Sequence, residues 1–381
     1  MRNVLTSSWN VRNVGLILFS TIVHRSLAPG RGTQDFFASR STLATRTTLA
    51  NWHGRYPSII PYITRVLEEL STAGTASAHS PLFPILIIVR SLRWSSNGSA
   101  LAEELFQIVK TYLGSSEWQV RTVAAQALSS LVSPDQALQQ VYGGCGIDTI
   151  GLNVRHGELL YLRHLVSEVI DWDVVDESQR RRIEGVLLDQ MSRYRSDQPL
   201  IAKATMDLLA AYLESVRSPS GSIRDRAVDL AKMTVQTSAY CPGSSLLVAS
   251  SGHVLRSFGG EEALPSLISS ADDDLTIPTL EHLIDASHAT KLGLLRSLIN
   301  VVIESKNTFA RIAALEVIVS LPASDQTLRV ATDAHIVRLV AVLEQLLGSS
   351  KSVPLKEAAL AGLGWAIGLV SLSFAHMTNG V

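Results

Sequence analysis

The chain has 381 residues, 46% of them hydrophobic and 18% charged, which is too apolar for disorder and enough for a large buried core. Its 33 Lys and Arg against 34 Asp and Glu leave a net charge of −1, arguing against a whole-chain electrostatic grip on nucleic acid while leaving room for local patches. Two cysteines, Cys145 and Cys241, write no disulfide framework, and no Cys/His cluster has zinc spacing, so a reducing, cytoplasmic setting is expected.

The first readable element is "SSWNVRNVGLILFSTIV" (7–23), an apolar helix behind a Trp-x-Val-Arg lead-in. Its core follows Arg2 and Arg12 as a signal peptide would, but Trp9, Asn10 and Asn13 interrupt the lead-in and the pattern returns at 115–132, where no signal peptide sits. Residues 26–55 are polar, rich in Ser, Thr and Arg, and lack an apolar face; they read as a flexible insertion. A helix is predicted over 56–70, and a second flexible loop over 71–80, "STAGTASAHS". "FPILIIVRSL" (83–92) reads as a buried helix, too short for the roughly 20 residues that a bilayer crossing needs.

An amphipathic helix at 99–113 leads into "SSEWQVRTVAAQALSSLV" (115–132). Here Val120, Val123, Ala124, Ala127, Leu128 and Leu131 make one apolar face. Ser115 or Ser116 is the expected N-cap, and Ser133-Pro134 ends the run. In "NVRHGELLYLRHLVSEVI" (153–170), Asn153 is the expected N-cap and Leu159, Leu160, Leu162, Leu165, Val166, Val169 and Ile170 form the apolar face. Gly157, in the first turn, costs about 1 kcal/mol of helix propensity relative to Ala. It therefore implies close approach by another backbone or by a ligand. His156 fits a packing role, hydrogen-bonded to a neighbouring loop.

"QRRRIEGVLLDQMSRYR" (179–195) sets Ile183, Val186, Leu187, Gln190 and Tyr194 on one face. Arg180, Arg181 and Arg182 lie at one end, Arg193 and Arg195 at the other, as candidate phosphate contacts with Tyr194 as a stacking ring. The competing reading is a solvated face balanced by Asp176, Glu177 and Glu184. Helices follow at 222–235, 309–321, 333–347 and 354–370.

Five of these segments share a basic residue followed three positions later by a small one: Arg12 with Gly15, Arg121 with Ala124, Arg224 with Ala227, Arg311 with Ala314, and Lys356 with Ala359. Where an amphipathic helix precedes each, the unit is a helix pair of about 40 residues, the mark of HEAT- or armadillo-like repeats. The small residue admits close helix packing, and the basic one stands where it can hydrogen-bond to an adjacent repeat. The fold expected is an all-α HEAT/armadillo-like α-solenoid over residues 1–381. Its first helix already has internal-repeat character, so the chain is expected to be the C-terminal part of a longer architecture.

Little in the sequence suggests catalysis. Gly-x-Ser-x-Gly and phosphate-cradling glycine loops are missing, and "ADDDL" (271–275) lacks EF-hand spacing. His156, His164, His253 and His282 form no ligand pattern. No catalytic residue, metal site or cofactor of the chain's own is assigned.

Several blocks, in order, carry a resemblance: 7–25, the Arg/Ser-rich stretch after it, "YPSIIPYI" (56–63), "SPLFPILIIVRSLR" (80–93), 115–132 and "NVRHGELLYLRHLV" (153–166). Together they resemble the C-terminal half of the thyroid adenoma-associated protein family, whose fungal members are regulatory subunits of the tRNA 2'-O-methyltransferase acting on anticodon-loop nucleotide 32. The likeness covers about residues 1–170. Trp9, Arg12, Asn13, Trp118, Arg121, Asn153, His156 and Gly157 match its blocks. The resemblance implies a non-catalytic scaffold that binds a SAM-dependent methyltransferase subunit, with SAM on that partner, and that helps present tRNA, without membrane insertion. An upstream Arg-Arg-Ser-Ala-Gly motif of the family is missing from this sequence. The alternative is a protein-interaction solenoid without an RNA role, distinguished by a pull-down that lacks methyltransferase and tRNA.

Overall fold

The computed structural model describes residues 47–72, 79–143, 151–237, 244–259, 263–268, 273–284, 291, 294–321 and 333–378. The predicted helix at 7–23, with Trp9, Arg12 and Asn13, lies outside the described residues. Among those described, regular structure is helical apart from one bridge between Thr48 and Arg93. The chain divides into two compact units, Met1–Ile223 and Arg224–Val381.

The first unit contains α1 (Leu49–Arg55), α2 (Ile59–Thr72), α3 (His79–Ser91), α4 (Ser99–Thr111), α5 (Trp118–Ser130), α6 (Pro134–Gly143), α7 (Leu152–His164), α8 (Glu177–Ser192) and α9 (Pro199–Ser215). Alternate helices stack in a row: α3 on α5, α5 on α7, α7 on α9. A second row places α2 on α4 and α6 on α8. Each pair thereby hides its apolar face on the next, as in a helical-repeat fold.

The apolar stripes explain why the helices pack this way. All six residues of the predicted face on α5 are buried, from Val120 to Leu131. Each Val or Leu so buried contributes roughly 1.5–3 kcal/mol, more than the roughly 1 kcal/mol of a typical cap. Alanines at the contact faces, Ala124 and Ala127 on α5 and Ala202 and Ala204 on α9, are almost wholly buried and let helix axes approach closely. α8 begins with a capping box, in which Asp176 Oδ1 accepts from the Gln179 amide at 2.8 Å and Gln179 Oε1 accepts from the Asp176 amide at 3.0 Å.

Three sequence expectations change here. Residues 47–55, counted with the 26–55 insertion, are ordered. Thr48 caps α1 through the Asn51 amide at 3.3 Å, and Leu49 and Trp52 are buried one turn apart. The Arg93 amide also donates to the Thr47 carbonyl at 3.0 Å. Residues 26–46 lie outside the described set. Of the 71–80 loop, residues 71–72 and 79–80 belong to α2 and α3, and 73–78 are not described. Neither Ser115 nor Ser116 caps α5; its N-cap is Glu117, without a side-chain capping bond. The serines' carbonyls are engaged elsewhere, as described below.

The second unit begins inside α10 (Gly221–Thr237) and continues with α11 (Ser244–Phe258), α12 (Leu264–Ile268), α13 (Asp273–Ile284), α14 (Leu295–Glu304), α15 (Thr308–Val319), α16 (Asp333–Ser349) and α17 (Val353–Thr378). It repeats the alternation, with α11 on α13, α13 on α15 and α15 on α17, and with α14 on α16. Its core runs from Leu264 to Ala366, and the Trp365 indole N–H donates to the Leu321 carbonyl at 2.8 Å. Asn307 caps α15 through the Phe309 and Ala310 amides. No helix among the described residues is long and apolar enough to cross a membrane.

Candidate interaction site

Arg121, one turn into α5, is 3% exposed. Its guanidinium keeps its charge over the whole range in which proteins fold, so burial at that depth demands partners. Nη1 donates to the carbonyls of Ser115 at 2.6 Å and Ser116 at 3.1 Å, and to Asn153 Oδ1 at 3.1 Å. Nε donates to His156 Nδ1 at 3.1 Å. This arginine folds the loop before its own helix back on itself and ties α5 to the first turn of α7.

The partner ring obeys simple donor logic. Arginine only donates, so His156 Nδ1 must be the acceptor and the ring proton sits on Nε2. A protonated ring would set two donors face to face. Burial first, and the nearby Arg121 charge second, push the His156 pKa down from 6.5 to about 4. Burial also pushes Arg121 below its usual value.

Asn153 departs from the expected capping role. The N-cap of α7 is Gly151, and the Asn153 amide oxygen is taken by Arg121. Gly157 meets another backbone. A methyl group added there would stand 2.3 Å from the Leu113 carbonyl oxygen and 2.9 Å from the Leu113 Cα, so only glycine fits this approach. Two sequence blocks 35 residues apart, at Arg121 and His156, thus form one helix junction. Trp118 stands at the start of α5, more than half exposed, and makes no contact in this network.

The arginines of α8 are each engaged. Arg180 and Arg181 pair with Glu177 at 3.4 and 3.2 Å, and Arg182 lies over the Tyr142 ring at 4.1 Å. Arg193 pairs with Asp189 at 3.1 Å, and Arg195 with Asp197 at 2.7 Å. A phosphate at any of them would compete with a carboxylate or a ring. The Arg193 carbonyl meanwhile accepts from Arg155 Nη2 of α7 at 3.1 Å.

Sequence reasoning missed a second buried polar group. Glu184, read as surface balance, is 8% exposed and accepts from the Tyr212 hydroxyl at 2.7 Å and the Ser220 amide at 3.0 Å. Burial alone would raise its pKa; the hydrogen bonds from Ser220 and Tyr212 outweigh that and hold it below the usual range. Tyr212 is pushed up, by burial first and by Glu184 second. The available signal was position, since Glu184 lies inside the stripe of Ile183 and Leu187. Among the described residues no group of three or more His, Cys, Asp or Glu converges on a metal-sized space.

Packing and junction together define an all-α helical-repeat protein whose buried polar residues hold repeat to repeat. Residues 12–165 match the family described as Trm732, C-terminal TPR repeats. The chain is 27% identical over 178 residues to the tRNA (32-2'-O)-methyltransferase regulator THADA of Canis lupus familiaris, covering 43% of this chain and 9% of that protein. It is 25% identical over 177 residues to the protein of the same name from Mus musculus, covering 42% and 9%. The chain therefore spans about a tenth of the length of these relatives. Among solved structures, an engineered protein aligns over 96% of this chain at 13% identity, with a TM-score of 0.34, too low to bear on the fold.

Proposed function

We propose that the chain is part of a non-catalytic regulatory subunit that binds a SAM-dependent tRNA 2'-O-ribose methyltransferase and supports methylation of nucleotide 32 in the anticodon loop. The observation that carries this reading is the family match over residues 12–165, joined by two relatives named as regulators of that methyltransferase. The geometry agrees with a supporting role. Arg121, Asn153, His156 and Gly157 hold helices together, leaving the exposed helix ends to meet partners. SAM and the ribose chemistry belong to the partner subunit, tRNA joins as part of the complex, and the complex acts in the cytoplasm.

The repeats are of the HEAT/armadillo kind in this reading. The helices α3, α5, α7 and α9 start 39, 34 and 47 residues apart, less even than a fixed 34-residue TPR period. The functional test is genetic and chemical. Deleting the gene and mapping ribose methylation in tRNA should show loss at nucleotide 32, and co-expression should recover a methyltransferase with the chain. Unchanged methylation in the deletion strain overturns the proposal and leaves a protein-interaction solenoid without an RNA role.

A further inference from the structure

Two groups of arginines in the first unit differ in what holds them. On α8, Arg180, Arg181, Arg193 and Arg195 donate to carboxylates. Around α1 and α2 the pattern is different. Arg55, Arg65 and Arg93 are exposed and, among the described residues, their side chains donate no hydrogen bond. Instead Arg55 lies over the Tyr56 ring at 5.6 Å and Arg65 over the Tyr62 ring at 5.4 Å. A ring face holds a guanidinium through its charge and leaves the N–H edge open, whereas a carboxylate occupies that edge.

The three arginines follow one another along a path. The Arg93 backbone bonds to Thr47 and Leu49 at 3.0 and 2.8 Å, which pins it beside the start of α1. Arg55 closes α1, whose seven residues rise about 10 Å. Tyr56 is the C-cap of that helix, and Arg65 lies about 9 Å along α2, one turn past Tyr62. Residues 47–67 and 79–102, which carry these groups, contain four arginines and no carboxylate. The acidic groups flanking them are Glu68 and Glu69 toward the end of α2 and Glu103 and Glu104 in α4. Glu103 accepts from the Gln107 side chain at 2.7 Å. Glu69 stands 3.8 Å from Arg65, with the two side chains 68% and 65% exposed; a pair of that kind is weak, screened by salt, and yields to a competing anion.

We propose that this path binds a single-stranded RNA segment by its phosphates. Arg93, Arg55 and Arg65 take the phosphate oxygens with their forks, and Tyr56 and Tyr62 hold two of those forks in place. A partner protein fits less well. Among the described residues of 47–72 no large apolar side chain is exposed, so the surface lacks the apolar anchors of a protein interface core. That the RNA is a tRNA loop rests on the proposed role of the chain; the phosphate contacts rest on the arginines alone.

The test uses the full chain and a labelled single-stranded oligoribonucleotide, read by fluorescence anisotropy across a salt titration. Three phosphate contacts should contribute about −2 to the slope of log K against log salt concentration. The combined Arg55→Gln, Arg65→Gln and Arg93→Gln variant should therefore bind about tenfold or more weakly at low salt, with a slope shallower by about 2 and an unchanged thermal transition. Each single substitution should make the slope shallower by about 0.7, which is readable even if the combined variant folds poorly. As a control, Arg226→Gln, Lys232→Gln and Arg338→Gln together remove three exposed cations of the second unit and should leave the slope unchanged. Binding is measured on the purified chain without a methyltransferase, so the result is independent of the deletion test of the proposed role. No RNA binding by the chain, an unchanged slope in the Arg55, Arg65 and Arg93 variants, an equal loss in the control, or tighter binding of a poly-glutamate peptide than of RNA would each overturn the proposal.

Discussion

Arg121 in the first unit and Arg311 in the second begin from the same local grammar, a basic residue three positions before a buried alanine near a helix start. Their fates differ. Arg121 makes four hydrogen bonds that join a loop, its own helix and the next. Arg311 Nε is buried without a partner. Arg224 lies between them in extent, donating from Nε and Nη2 to the Phe258 carbonyl at 3.1 Å. The motif thus marks where a packed helix begins, and the neighbouring element decides what the cation is worth. In the first unit that neighbour supplies Asn153, His156 and a glycine that lets the Leu113 backbone in.

The largest expected effect sharpens this contrast at the glycines. Gly157→Ala should cost about 3 kcal/mol or more in urea unfolding, because the new methyl group meets backbone that cannot yield alone. Gly362→Ala in the second unit should cost less, since the methyl would meet Leu315 Cδ2 at 3.0 Å and Leu343 Cδ1 at 3.3 Å, both ends of flexible side chains. Gly185→Ala on α8 meets nothing within 4 Å and should stabilise by up to about 1 kcal/mol. Equal losses at Gly157 and Gly185 would break the account of the junction.

Acid comes next. His156 is neutral in the fold down to about pH 4, against 6.5 for a free ring. The unfolded chain takes up this proton first as pH falls, so the stabilisation is complete above pH 6.5 and is lost progressively toward pH 4. Over that window it amounts to about 3 kcal/mol. His156→Gln should flatten the pH dependence of stability between those values, and a parallel, undiminished slope would contradict the buried neutral ring.

Arg121→Met should cost about 2 kcal/mol by stranding the Ser115 carbonyl and His156 Nδ1, whereas Arg311→Met should stay within about 0.5 kcal/mol. Tyr212→Phe removes one hydrogen bond to Glu184 and should cost about 1 kcal/mol. Smallest is Arg181→Ala on the exposed flank of α8, expected near the noise of the measurement because surface ion pairs contribute roughly 0–1 kcal/mol.

The sequence made the periodic features legible and left the long-range ones hidden. The buried face of α5 was readable residue by residue, because helical spacing is local. Gly157 was readable as a close approach, though Leu113 as the approaching group was not. Both capping assignments failed, each because the side chain has another partner. Ser115 and Asn153 have the right chemistry for caps, but the Ser115 hydroxyl accepts from the Glu117 amide, one residue ahead of the helix, and the Asn153 side-chain oxygen is taken by Arg121, 32 residues away, which no local pattern encodes. Residues 49–55 were read as part of an insertion because two buried residues, Leu49 and Trp52, are too few to display a period.

A double-mutant cycle between Arg121→Met and His156→Phe, followed by urea unfolding of the full chain, tests the junction most directly. A coupling free energy of about 1 kcal/mol or more is expected, since each substitution removes the partner of the other. Additive losses, agreeing within about 0.3 kcal/mol, would mean that the two sequence blocks do not act as one junction.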